Sequence, residues 1–115
     1  RELVWRAVEN LLRNALRHTD PDRGVLLTLD AQRKKSQWQI RVRDFGGGVP
    51  EQELKKIFEP FYRVQESRDR DTGGHGLGLS IAANAVRRHG GTIDARNAAD
   101  GGLVVEINLP AAEPA

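Results

Sequence analysis

The sequence predicts an α+β domain of two layers, with helices laid over one face of a mixed or antiparallel sheet. Three observations predict it: an amphipathic helical pattern over residues 2–18, a second one from near Gly78, and two pairs of strand-like runs joined by polar turns. Runs joined by short turns force antiparallel neighbours, and helices placed outside them cover one sheet face. A doubly wound parallel sheet needs strand–helix alternation, which this order lacks. At 115 residues the chain suits one domain with one core. That domain is expected over residues 1–110, with a small-residue tail at 111–115.

The first helix rests on Leu3, Val4, Ala7, Val8, Leu11, Leu12, Ala15 and Leu16, which recur at three- and four-residue intervals. It stops before Thr19-Asp20-Pro21-Asp22, where proline and short polar residues favour a turn. Val25–Leu29 reads as a short strand. Gln37–Arg43 alternates, with Trp38, Ile40 and Val42 on one face and Gln39, Arg41 and Arg43 on the other. The polar 31–36 stretch between them is expected to be an exposed loop. Asp44-Phe45-Gly46-Gly47-Gly48-Val49-Pro50 is too glycine-rich for regular structure, and a short helix is expected over Glu51–Ile57. Residues 63–74 carry six charges and one apolar side chain, Val64, so they are expected to face solvent and move. The second helix places Leu79, Ala82, Ala83 and Val86 on one face and ends at Gly90-Gly91. Thr92–Arg96 and Leu103–Leu109 then form a hairpin across Asn97–Gly102.

Composition narrows the function. Eighteen Lys and Arg against 16 Asp and Glu leave a net charge of +2, without the concentrated basic face of a nucleic-acid binder. The absence of cysteine excludes disulfides, thiolate metal sites and thiol catalysis. No apolar run reaches the roughly 20 residues of a membrane span. A chain starting at Arg1 is expected to be part of a longer protein.

Three features carry chemistry. Along the first helix Leu3, Ala7, Asn10, Asn14, Arg17 and His18 form one ridge whose apolar start gives way to amides and then cations. The amides either line a pocket or lie solvated at the helix margin. Asp44 ends the alternating strand beside three glycines, where it can accept from an amine on a flat ligand or cap its own turn. Gly73-Gly74-His75-Gly76-Leu77-Gly78-Leu79 runs into a helix start, whose free N–H groups and dipole suit an anion. No GxxxxGK[ST] loop is present, and the glycine run does not follow a strand within a βαβ unit. Asp44-Phe45-Gly46 lacks the other elements of a eukaryotic kinase.

In order and content these features resemble the ATP-binding catalytic domain of bacterial sensor histidine kinases, in the gyrase–Hsp90–kinase ATPase superfamily. The asparagine box matches Glu9–Thr19, the first glycine box Asp44–Pro50, the phenylalanine box Ile57–Arg63 and the second glycine box Gly74–Ile81. The resemblance implies a Bergerat-type two-layer α/β sandwich that binds ATP with Mg²⁺. It implies Asn14 as the magnesium ligand with Asn10 one turn before it, and Arg17 and Arg63 as the cations on the phosphates. Asp44 is the acceptor for the adenine amine; Gly46, Gly48 and Val49 lie along the base, and Gly74, Gly76, Leu77, Gly78 and Leu79 form the phosphate-facing helix start. Phe58 and Phe61 are expected to anchor the segment that follows. His18 stands where many members carry tyrosine, leaving its nucleotide contact open. Leu103 stands where relatives often carry Thr or Ser, which removes a polar side-chain contact but not backbone pairing.

The resemblance further implies partners outside this chain: a dimerisation and phosphoacceptor domain of the same protein and a response regulator. It implies a membrane-bound homodimer whose inner-membrane anchor leaves this domain in the cytoplasm. None of His18, His75 and His89 lies in an acceptor motif. Hydrolases and serine kinases of the superfamily place a glutamate where this chain has Asn10, an amide that cannot take a proton. A hydrolase, a serine kinase or a bare nucleotide-binding module remain the competing readings.

Overall fold

Helix α1 spans Glu2–His18, matching its apolar periodicity, and its last turn carries Arg17 and His18 beside the exposed carbonyls. The computed structural model describes residues 2–32, 36–60 and 78–110. Strands β1 (Leu26–Gln32) and β2 (Gln37–Arg43) follow, then helix α2 (Gly78–Arg88) and strands β3 (Thr92–Asn97) and β4 (Leu103–Pro110).

The four strands lie in the order β1-β2-β4-β3, and each neighbouring pair is antiparallel. The sheet is therefore antiparallel rather than mixed among the described residues. The two hairpins meet at β2 and β4, where Ile40 pairs with Ile107 and Val42 with Val105. Ile93 of β3 falls opposite Ile107 from the other side. This row faces Ala7, Val8, Leu11 and Ala15 of α1 and Ala82, Ala83, Ala85 and Val86 of α2, forming one core. Leu11, Ile107, Val42 and Val86 are fully buried. Three alanines and a valine let α2 approach closely, so a small chain still achieves dense packing.

The opposite sheet face is polar. Glu106 is its hub, accepting from Gln39 Nε2 at 3.1 Å, Arg41 Nε at 3.1 Å, Arg96 Nη1 at 3.2 Å and Asn108 Nδ2 at 3.2 Å. Burial alone would raise its pKa, but those hydrogen bonds and the Arg41 charge outweigh it and hold the carboxyl below its ordinary value. Helix α2 ends as its glycines predict: Gly90 takes φ 78°, and the Gly91 and Gly90 N–H groups donate back to Val86 O and Arg87 O.

Two elements differ from expectation. Strand β1 continues beyond Leu29 through Asp30, Ala31 and Gln32, because pairing with Gln39, Trp38 and Gln37 extends an edge strand whatever its side chains. The short helix expected over Glu51–Ile57 is two 3-10 turns, Glu51–Glu53 and Lys56–Phe58. Pro50 offers no side-chain cap, and Glu59, ahead of Pro60, is already extended at φ −82° and ψ 146°. Ile57 is buried and Phe58 packs against the core. Phe61, the 63–74 segment and the 111–115 tail lie outside the described residues.

Candidate functional site

The site is built where the end of α1 meets the end of β2. Asp44, the residue after β2, is only 3% exposed. Its N–H donates to Leu103 O at 3.0 Å, and its Oδ1 accepts from Gly46 N at 2.9 Å and Leu103 N at 3.2 Å. Oδ1 is thus held by two backbone donors, while Oδ2 takes no hydrogen bond from another described residue. The Gly46 bond is the self-capping turn that aspartates favour, and it occupies Oδ1. Leu103 buries its side chain in the core and keeps its backbone pairing with Asp44.

Two glycines allow this crowding. A Cβ on Gly46 would overlap the His18 carbonyl oxygen, and one on Gly102 would overlap the Asp44 carbonyl oxygen. Gly46 therefore serves the contact between strand and helix end, a reason beyond the ligand approach expected of it. Gly48 follows with φ 78°, and Val49 packs against the core with both backbone groups engaged by Asn97: Val49 N donates to Oδ1 at 2.9 Å and Asn97 Nδ2 donates to Val49 O at 2.7 Å.

Thr19 joins helix to strand. Its hydroxyl donates to Gly24 O at 2.7 Å and accepts from Phe45 N at 2.8 Å. Two guanidinium groups lie over the Phe45 ring, Arg23 at 4.3 Å and Arg43 at 4.5 Å from its centroid. Arg43 also donates from Nη2 to Asp100 Oδ1 at 2.6 Å and to Gly101 O at 3.1 Å. Sequence reasoning missed Thr19, Asn97 and the Arg23–Phe45–Arg43 stack. Thr19 closes the asparagine box, and Asn97 is an amide at a strand end; those positions are the only local signals they give.

On α1, Asn10 and Asn14 are half-buried one turn apart, and neither amide hydrogen-bonds another described residue. Glu9 points elsewhere, exposed and 3.9 Å from Arg13. Arg17 and His18 are exposed at the helix end. Although the residue as a whole is exposed, partial desolvation of its ring lowers the His18 pKa below the ordinary 6.5; Asp44 opposes that shift and Arg17 adds to it. Among the described residues no cluster of three His, Cys, Asp or Glu side chains could hold a metal. Two half-buried amides, unpaired among the described residues, offer neutral oxygens of the kind Mg²⁺ accepts, an ion that keeps waters and takes few protein oxygens. Gly78 is the first residue of α2, and Leu79 packs against the core. Arg63, Gly74, Gly76 and Leu77 lie outside the described residues.

Residues 1–113 match the family model described as histidine kinase-, DNA gyrase B- and HSP90-like ATPase. The chain belongs to this ATPase family. Sensor histidine kinase CpxA of Escherichia coli K12 is 42% identical over 104 residues, which is 90% of this chain and 22% of that protein. Signal transduction histidine-protein kinase AfsQ2 of Streptomyces coelicolor is 44% identical over 101 residues, covering 88% and 18%. The chain thus spans about a fifth of the curated relatives it matches. Among solved structures, the mycobacterial sensor histidine kinase MprB superposes with a TM-score of 0.82 at 33% identity, covering 91% of this chain and 70% of that one. Full-length ShkA in complex with AMPPNP gives 0.78 at 29% identity, covering 96% and 22%. The four-stranded antiparallel sheet with its helices is the α+β fold the sequence predicts. No helix among the described residues is long and apolar enough to cross a membrane.

Proposed function

We propose that this chain binds Mg-ATP and donates the γ-phosphoryl group to a histidine on a separate dimerisation domain of a sensor kinase, for onward transfer to a response regulator. The buried Asp44 carboxylate carries this reading: one oxygen is held by backbone and the other is open to a donor. The adenine amino group is such a donor, and a hydrogen bond to a charged acceptor contributes about 1.5–3 kcal/mol. Guanine presents a carbonyl at that edge and is rejected.

The amides of Asn10 and Asn14 lie along α1 toward the phosphates, with Asn14 as the magnesium ligand; when bound, the ion neutralises charge on the phosphate oxygens. Arg17 and Arg63 bring further cations, and the second glycine box, with Gly74, Gly76, Leu77, Gly78 and Leu79, brings backbone N–H groups. Phosphoryl transfer asks mainly for such positioning and charge. The acceptor imidazole nitrogen bonds to the γ-phosphorus as the bond to the β–γ bridging oxygen breaks, and ADP leaves.

Asn10 also argues against a hydrolase or serine kinase. An amide cannot take a proton from water or serine, and the adjacent Glu9 faces solvent beside Arg13. The full-length protein is proposed to be a membrane-anchored homodimer with this domain in the cytoplasm.

The test is a labelling assay with γ-labelled ATP. The chain alone should bind Mg-ATP, release little phosphate and label itself little; adding the helical phosphoacceptor domain should restore labelling on that domain's histidine. Appreciable turnover by the chain alone would count against the kinase reading.

A further inference from the structure

We propose that Thr19 is the positioning residue that sets the offset between the base-recognition carboxylate and the amides of α1. The proposal rests on the reading of Asp44 given above. Thr19 N donates to Ala15 O at 2.9 Å, so residue 19 continues the α1 hydrogen-bond ladder from the turn that holds Asn14. Its hydroxyl proton is committed to Gly24 O at 2.7 Å. That fixes the rotor and turns an oxygen lone pair toward Phe45 N, 2.8 Å away.

Among the described residues this is the one hydrogen bond that ties the end of α1 to residues 44–46. The neighbouring contact, Gly46 against the His18 carbonyl, limits how close the segments come but has no directionality. The Phe45 ring is also contacted by the guanidinium groups of Arg23 and Arg43, at 4.3 and 4.5 Å from its centroid. Asp44 is fixed from its other side by Leu103. A ligand that bridges Asp44 and Asn14 therefore meets a distance set through one hydroxyl. A ligand that touches only the phosphate end does not.

The alternative is that Thr19 merely holds its own turn to Gly24. That role would affect stability but not distinguish one ligand from another. Calorimetric titration of the chain with Mg-ATP, Mg-GTP and Mg-tripolyphosphate separates the two. Thr19→Val should weaken Mg-ATP about tenfold, the scale of a lost part-buried hydrogen bond, and leave Mg-tripolyphosphate within about twofold. Thr19→Ser should restore Mg-ATP affinity. Hydrogen exchange at the Phe45 amide should accelerate in the valine variant and stay slow in the serine variant.

Equal losses for ATP and tripolyphosphate, an unchanged ATP affinity, or unchanged Phe45 protection in the valine variant would each overturn the proposal. Should the valine variant fail to fold, Thr19→Ala places no branched side chain in the turn and carries the same expectations. A wild-type chain that binds ATP no better than GTP would overturn the reading of Asp44 itself. That failure is distinguishable because it appears before Thr19 is changed.

Discussion

Asp44 and Leu103 exchange two hydrogen bonds across the ends of β2 and β4: Asp44 N–H donates to Leu103 O at 3.0 Å, and Leu103 N–H donates to Asp44 Oδ1 at 3.2 Å. The second bond carries the ladder one step further through a side chain, so the carboxylate is part of the sheet. That makes Asp44→Asn a clean probe. The asparagine oxygen can still accept from Gly46 and Leu103, while its NH₂ replaces the acceptor proposed to face the base. Mg-ATP affinity should fall by at least roughly tenfold, the equivalent of about 1.5–3 kcal/mol, with little change in thermal midpoint. An unchanged affinity by calorimetry would remove adenine recognition from this site.

Acid should weaken the fold in two stages. The folded-state pKa of His18 lies below the ordinary 6.5, chiefly because partial desolvation disfavours the charged ring, so as pH falls the unfolded chain takes up that proton first. Its contribution is complete above 6.5 and is lost as pH falls through the lowered value. Glu106 lies below its ordinary 4.5 because hydrogen bonds from Asn108, Arg41 and Arg96 outweigh the opposing effect of burial. Its contribution is present above 4.5 and is lost as pH falls through its own lowered value. Urea midpoints between pH 3 and 8 should show both losses, His18→Gln removing the upper one and Glu106→Gln the lower. A single transition untouched by His18→Gln would refute the upper assignment.

Two leucines of α1 offer an internal contrast in stability. Leu11 is 1% exposed and Leu16 is 62% exposed. Leu11→Ala removes buried methylenes and leaves a cavity, costing about 2–5 kcal/mol, whereas Leu16→Ala should stay within about 0.5 kcal/mol. Denaturant unfolding of the two variants checks this. Similar losses at both positions would mean that the apolar stripe of α1 is buried differently.

Much of this architecture was legible because its signals are local. The spacing of Ala7, Leu11 and Ala15 marks a buried helix face, and the alternation at Ile40 and Val42 marks a half-buried strand. The tail of β1 was not legible, because Asp30, Ala31 and Gln32 are held by backbone pairing to β2 and carry no apolar pattern. Asn10, Asn14 and Asp44 were singled out through their boxes. Thr19 and Asn97 were not, since their partners lie 26 and 48 residues away. A hydroxyl or amide at a loop margin says nothing about a distant backbone group until the fold supplies it.

Asn97 supports the sharpest of these consequences. Its amide both accepts from Val49 N and donates to Val49 O, so one side chain satisfies both polar backbone groups of that residue. Asn97→Ala would leave a part-buried donor and acceptor without partners, which costs about 1–3 kcal/mol for each unsatisfied group that water cannot reach. Asn97→Asp keeps the acceptor for Val49 N but sets a carboxylate oxygen against the Val49 carbonyl, and it should destabilise as well despite its equal size. Exchange at the Val49 amide should accelerate strongly in the alanine variant and less in the aspartate variant, while both lower the denaturant midpoint. If the aspartate variant matched wild type in stability, the bond from Asn97 Nδ2 to Val49 O would contribute nothing, and the acceptor half alone would hold the segment.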